Sequence, residues 1–389
     1  MSLAPLAYTL YQRVINHDPA DVHWAGRDRF VLSVGHSSLT QYIQLYLGGF
    51  GLEMDDLQQL RTWGSRTPGH PEVHHTDGVE ITTGPLGSGL ASAVGMAMAQ
   101  RRQRGLLDPD AKTGESPFDH HVWVLASDGD IMEGVASEAA SIAGHLKLSN
   151  LCWVYDANRI TIEGGTDLAF DEDVAKRFEA YGWQVIRNVD GHDADEIQMA
   201  LETARKSDRP TLICCKTIIG FGSPNKQGKE ECHGAPLGND EIALTRAALG
   251  WNHGPFEIPA EIYAEWDAKQ KGADAENEWN KRFAAYETEF PALAAEFKRR
   301  MAGELPADFA EKASEFIREV ATKGETIASR KASQNCLNAF GPLLPELLGG
   351  SADLAGSNLT LWKGCKGVEA NDASGNYVFY GVREFGMTA

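Results

Sequence analysis

Short apolar runs alternate with helix-length segments of period 3.6 through the first half of the chain, and nearly every apolar run stops at a cluster of glycine and polar residues. The runs are Phe30 to Val34, His121 to Ala126, Leu151 to Tyr155, Trp183 to Ile186 and Thr211 to Lys216. Helical patterns fall between them at 86–103, 135–148, 171–181 and 194–206. Strands that are apolar on consecutive residues, rather than on every second one, belong to a parallel sheet covered on both faces. The pattern therefore predicts an α/β fold built on a doubly wound parallel sheet. In such sheets ligands gather beyond the carboxyl ends of the strands. The glycines and polar residues collect at those ends: Gly35-His36, Ser127-Asp128-Gly129-Asp130, Asp156-Ala157-Asn158 and the Gly220 to Gly222 loop.

Residues 217–238 form a long, glycine-rich, polar stretch, and a loop of that length inside a compact domain is usually functional. Charged amphipathic segments follow at 239–249, 258–271, 275–302 and 307–322, with little strand signal. A second α/β unit is then expected, with a helix at 330–341, strands at 343–348 and 376–382, and the turns Gly349 to Asp353 and Arg383 to Gly386. The domains expected are 1–295, the α/β domain with a helical appendage; 296–327, a helical linker; and 328–389, the opening of a second α/β domain.

Charge narrows the partners. Lys and Arg number 36 against 55 Asp and Glu, a net charge of −19, so a nucleic-acid surface over most of the chain is not expected. No apolar run approaches the ~20 residues a membrane-spanning helix requires, and no basic-then-apolar leader opens the chain. The six cysteines lack zinc spacing, and Cys152, Cys214 and Cys215 lie in strand-like runs as reduced core thiols of a cytoplasmic protein.

Five constellations carry chemistry. Asp128 and Asn158 each follow an apolar strand and lie one βαβ unit apart. Adjacent strands would set a carboxylate and an amide oxygen side by side, a hard donor pair suited to Mg²⁺ or Ca²⁺. Two ordinary strand-to-helix turns would read the same way, with Asp and Asn as caps. Thr82 to Gly89 opens a helix with three glycines, which permits close backbone approach to an anion, or simply tight packing. His36, His70 and His233 lie in loops flanked by Gly or Pro, where an imidazole can bond hydroxyls or shuttle protons. In the second unit Arg330 with Ser357 reads as a phosphate clamp, and Glu384, after a strand that reads as buried, as a carboxyl with a raised pKa.

Taken together these strings resemble the transketolases, thiamine-diphosphate-dependent enzymes. The resemblance rests on Ser-Val-Gly-His-Ser-Ser (33–38), Thr-Pro-Gly-His-Pro-Glu (67–72), Thr-Thr-Gly-Pro-Leu-Gly-Ser-Gly (82–89), Asp-Gly-Asp-Ile-Met-Glu-Gly (128–134), Lys-Thr-Ile-Ile-Gly-Phe-Gly-Ser-Pro-Asn-Lys (216–226), His-Gly-Ala-Pro-Leu-Gly (233–238), Gly-Gly-Ser-Ala-Asp-Leu (349–354) and Tyr-Gly-Val-Arg-Glu-Phe-Gly-Met-Thr (380–388). It spans nearly the whole chain in family order. It implies that Asp128, Asn158 and the Ile160 carbonyl hold Mg²⁺, for which Ca²⁺ could substitute, and that Gly129 contacts the cofactor's diphosphate. Gly84, Pro85 and Leu86 would line the cofactor pocket. His36 and His233 would sit near the diphosphate and the reacting centre, with His70 and His233 on the donor sugar and Arg330 and Ser357 on the sugar phosphate. Glu384 would touch the aminopyrimidine ring of a cofactor held between the subunits of a homodimer.

The implied reaction moves a two-carbon ketol unit from a ketose phosphate of the xylulose 5-phosphate type to an aldose phosphate of the ribose 5-phosphate type, in the pentose phosphate pathway. Dihydroxyacetone synthase shares most of these strings, and deoxyxylulose-phosphate synthase fits the 216–238 loop less well. A non-catalytic or split subunit is the alternative of a different class. Two departures stand out. The family's Ser-Gly-His-Pro-Gly segment has no counterpart before Met1, and the chain ends five residues past Glu384. The chain is accordingly expected to be a fragment that, alone, binds cofactor weakly and turns over little.

Overall fold

Five of the apolar runs become one parallel sheet. In the computed structural model, which describes all 389 residues, β1 (Arg29–Leu32), β2 (Val122–Ser127) and β3 (Leu151–Asp156) are followed by a small antiparallel hairpin of β4 (Ile160–Thr161) and β5 (Gly164–Gly165), then β6 (Gln184–Asp190) and β7 (Thr211–Lys216). The main sheet has the order β1-β2-β3-β7-β6, every pair parallel. β3 is buried along its whole length and β2 along its first five residues, which is why neither alternates polar with apolar.

Each face has its own core. Leu125, Trp123 and Val154 share a buried cluster with Leu6, Leu10, Ile197 and Leu201 from helices Ala4–Thr9 and Ala194–Arg205 and the single π-helical turn Leu10–Val14. On the other side Trp153 packs against Phe178 and Trp183, with ring centroids 5.7 and 4.7 Å away. Trp183 donates its indole N–H to the Ala140 carbonyl at 2.8 Å, tying helix Gly134–Leu146 to this layer. Gly144 is required there: a Cβ would lie 1.9 Å from the Tyr181 carbonyl oxygen. The helices begin on side-chain caps where the sequence supplies them, as at Asp193, whose carboxylate accepts from the N–H groups of Asp195 and Glu196.

The chain forms two compact units, residues 1–98 with 120–279 and residues 99–119 with 280–389. The second holds a parallel pair, β8 (Gly349–Ser351) and β9 (Tyr377–Phe379). Its helices Lys269–Glu289, from residue 280, and Pro291–Met301 pack Phe283, Tyr286 and Phe297 around Phe118. The buried Arg102 guanidinium donates to the carbonyls of Gly375 and Pro345. No helix is long and apolar enough to cross a membrane, and all six cysteines are free thiols, Cys152 and Cys215 buried in the sheet.

Three expectations are corrected. The strand expected at 343–348 is a 3₁₀ turn, Gly341–Leu343, followed by irregular backbone. Pro342 and Pro345 cannot donate to a ladder, and pairing starts only at Gly349. The helix expected at 275–302 is two helices, because Pro291 starts a new one at its first position. Where an ordinary strand-to-helix turn would make Asp128 the cap, the cap is Ser127, ahead of the short helix Asp128–Met132, with Asp130 closing the capping box.

Candidate active site

The register of β2 against β3 sets Ser127 opposite Asp156, so Asp128 and Asn158 emerge just past the ends of neighbouring strands. The juxtaposition expected from their spacing is present. Asp128 is 3% exposed. Its Oδ1 accepts the Tyr155 hydroxyl at 2.5 Å and its Oδ2 accepts the Arg159 N–H at 2.9 Å. Arg159 reaches that position with a left-handed φ of 61°. Burial raises the pKa of Asp128, and the two hydrogen bonds oppose the shift only in part. Asn158 donates its amide N–H to Asp156 at 2.9 Å, and its Oδ1 accepts the Ile160 N–H at 2.9 Å. Asp156, itself buried, takes the Thr217 hydroxyl, and burial pushes its carboxyl up to about 6.

A second carboxylate binds the surrounding segments together. Asp130 is fully buried and accepts from Ser33 Oγ at 2.7 Å, Gly87 N at 2.9 Å and Ser127 N at 3.1 Å. It thus joins the end of β1, the glycine loop and the end of β2. The glycine loop lies close against its neighbours: a Cβ on Gly129 would meet Leu86 at 2.9 Å, one on Gly35 would meet Thr83 and Gly84 below 3.0 Å, and one on Gly84 would face the His70 ring at 3.4 Å. His36 and His233 stand with ring centroids 5.3 Å apart. Burial lowers the pKa of His36, and His233, His70 and Arg61 lower it further. The structure therefore brings the three expected histidines together, in the same unit as Asp128, Asn158, Ile160, Gly84, Pro85, Leu86 and Gly129. His233 Nδ1 is buried without a hydrogen-bond partner, a polar atom left for a ligand.

The donor set fits a hard divalent cation shared with a diphosphate. It offers one carboxylate, one amide oxygen and one main-chain carbonyl, and the phosphate oxygens would complete the shell. No group of three His, Cys, Asp or Glu side chains competes for a metal elsewhere.

In the second unit Arg330 donates to the Ser357 carbonyl at 3.1 Å, so these two residues are neighbours as expected. Glu384 begins the short helix Glu384–Thr388 and is exposed. The burial expected around its carboxyl is absent, because only two residues of β9 are covered.

The 217–238 loop that carries His233 is held by Glu241. Buried at the start of helix Asn239–Ala248, Glu241 accepts from the Ser223 hydroxyl and from Asn225 through N and Nδ2, both at 2.9 Å. These donors, Ser223 first, hold its pKa down to about 2. Because the folded value lies below the unfolded one, the stabilisation is present above about pH 4.3 and is lost as pH falls toward 2. Glu241→Gln is expected to lack this acid-limb loss when the thermal midpoint is followed from about pH 5 to about pH 2.

Sequence reasoning overlooked Tyr155, Asp156, Thr217 and the linking role of Asp130. Only the strand register brings them to Asp128, Asn158 and the glycine loop.

Residues 1–306 match the family described as transketolase, thiamine diphosphate binding domain, and residues 325–389 match transketolase, pyrimidine binding domain. The chain belongs to the transketolase family. Transketolase 2 of Vibrio parahaemolyticus is 57% identical over 389 residues, all of this chain and 58% of that protein. The solved transketolase of Leishmania mexicana superposes with a TM-score of 0.91 at 39% identity, over 100% of this chain and 57% of that one. A Pichia stipitis transketolase complexed with sedoheptulose 7-phosphate gives 0.90 at 40% identity, over 99% of this chain and 57% of its own. The chain thus spans a little under three-fifths of the transketolases it matches.

Proposed function

We propose that this chain carries the cofactor-binding and part of the sugar-binding machinery of a thiamine-diphosphate ketol transferase. It would move a two-carbon ketol unit from a ketose phosphate such as xylulose 5-phosphate to an aldose phosphate such as ribose 5-phosphate, in the pentose phosphate pathway of the cytoplasm. The observation that carries the reading is the meeting of Asp128 and Asn158 at adjacent strand ends, beside a cluster of three histidines. Family membership supplies the cofactor class, and the sugar phosphate named for the Pichia protein supports the substrate class.

Asp128, Asn158 and the Ile160 carbonyl would hold Mg²⁺, with Gly129 allowing the diphosphate close to the backbone. Gly84, Pro85 and Leu86 would line the ring pocket. Thiamine diphosphate supplies, when bound, the electron sink that makes cleavage next to a ketone possible. The protein's part is position and proton handling. A lowered pKa keeps His36 neutral near pH 7, with one nitrogen to donate and one to accept. His233 and His70 would bond the sugar hydroxyls and move protons to and from them. Arg330, with Ser357 beside it, would take the sugar phosphate as a bidentate donor. Glu384 would meet the aminopyrimidine of the cofactor held with a second copy in a homodimer. The domain division that goes with this reading is 1–295, 296–327 and 328–389.

Titration of the chain with thiamine diphosphate tests the reading. Binding is expected in the presence of Mg²⁺ or Ca²⁺ and is expected to vanish with EDTA or when thiamine replaces its diphosphate. Binding that ignores the cation would overturn it.

A further inference from the structure

The His233 loop has a second anchor that the site does not account for. His192, in the turn after β6, stacks on Phe221 with ring centroids 3.8 Å apart and planes 17° from parallel. Its Nε2 lies 2.9 Å from the Ile218 backbone N–H, which can only donate. The imidazole must therefore be neutral, with its proton on Nδ1, and that atom is buried without a partner. From Ile218 the constraint passes along the loop. Ile219 accepts the Gly228 N–H at 2.8 Å, and Gly220 packs so tightly on Cys232 that a Cβ would lie 2.8 Å from its sulfur. Cys232 precedes His233.

We propose that His192 is a positioning residue that latches the 217–238 loop, and with it His233, only while its imidazole is neutral. Protonation would place an N–H against the Ile218 N–H, removing the acceptor and setting two donors face to face. The charged side chain near the ring is Asp190, which favours the imidazolium. Desolvation outweighs it and lowers the pKa from the usual histidine value. The latch is thus fully closed above about pH 6.5 and is released as pH falls through the lower folded value. Its bearing on catalysis rests on the role proposed for His233; the latch itself does not.

Amide hydrogen exchange at Ile218 in the unliganded chain, expressed as a protection factor at each pH, tests the latch without cofactor or substrate. Wild type is expected to lose about tenfold in protection as pH is lowered from about 7.5 through the imidazole's titration, the worth of one hydrogen bond. His192→Gln, whose amide oxygen can still accept, should keep its protection across that range. His192→Phe, which preserves the stack on Phe221, should lack it throughout. A wild-type profile without a step, the same step in H192Q, or full protection in H192F would each overturn the proposal. The step in H192Q would assign the titration to a group other than His192. Failure of cofactor titration alongside an intact Ile218 step would remove the functional reading and leave the latch standing.

Discussion

Trp153→Ala is expected to destabilise the first unit by about 3–5 kcal/mol, the cost of removing a large aromatic from a packed core. The ring is fully buried at the middle of β3, between Phe178 and Trp183. β3 is paired on both edges, to β2 and to β7, so its backbone cannot move into the vacated volume. Helix Gly134–Leu146 cannot follow either, because Gly144 already touches the Tyr181 carbonyl. The cavity should persist and its cost should add to the lost transfer energy. Trp153→Phe should cost less. It leaves most of the contact area and deletes an indole N–H that is buried without a partner, a group that itself carries a penalty of about 1–3 kcal/mol. Urea unfolding measures both, read as a shift in midpoint at constant slope. A loss below about 1 kcal/mol for the alanine variant would mean that the layer collapses around the hole.

The residues that make Trp153 indispensable are also those that made the sheet legible. Leu151 to Asp156 and Thr211 to Lys216 are continuous apolar or buried runs bounded by polar residues, and both strands lie within a residue of their expected limits. Helix Leu39–Gly48 escaped notice because Gln41 and Gln44 face inward, buried to 2% and 4% exposure, and break the apolar period. In the second unit Leu343 to Leu348 match a strand in composition, but Pro345 within the run and Pro342 just before it override β propensity.

The site was legible to the same extent and for the same reason. Asp128, Asn158 and the glycine loop are marked by their place after a strand or before a helix, which composition reveals. Tyr155, Asp156 and Thr217 act through partners on other strands, and a pairing register is not written in any one segment. Asp130 was visible as half of an Asp-Gly-Asp string, yet its work is to hold Ser33 and Gly87, far away in sequence. Glu384 follows an apolar strand, which suggests a buried carboxyl, but β9 is covered only at Tyr377 and Val378 and coverage ends before Glu384 is reached.

The largest functional effect is expected at Asp128. On the proposed reading Asp128→Ala removes the only carboxylate from the cation's protein ligands, and Mg²⁺-dependent binding of thiamine diphosphate should fall below detection in the same titration. Removing the carboxylate also leaves the Tyr155 hydroxyl and the Arg159 N–H without their acceptor, a cost of about 1–3 kcal/mol each where they stay dry. Loss of the cation dependence itself separates a ligand from a purely structural acceptor, because loss of a structural acceptor would lower the thermal midpoint with no selective effect on the cation. Tyr155→Phe sharpens the test. Its hydroxyl reaches only Asp128, so it would act by orienting that carboxylate, and cation affinity should drop by about 10–100-fold with cofactor contacts otherwise intact. If Asp128→Ala keeps its Mg²⁺ dependence, the cation is held elsewhere and the assignment of Asp128, Asn158 and Ile160 fails together.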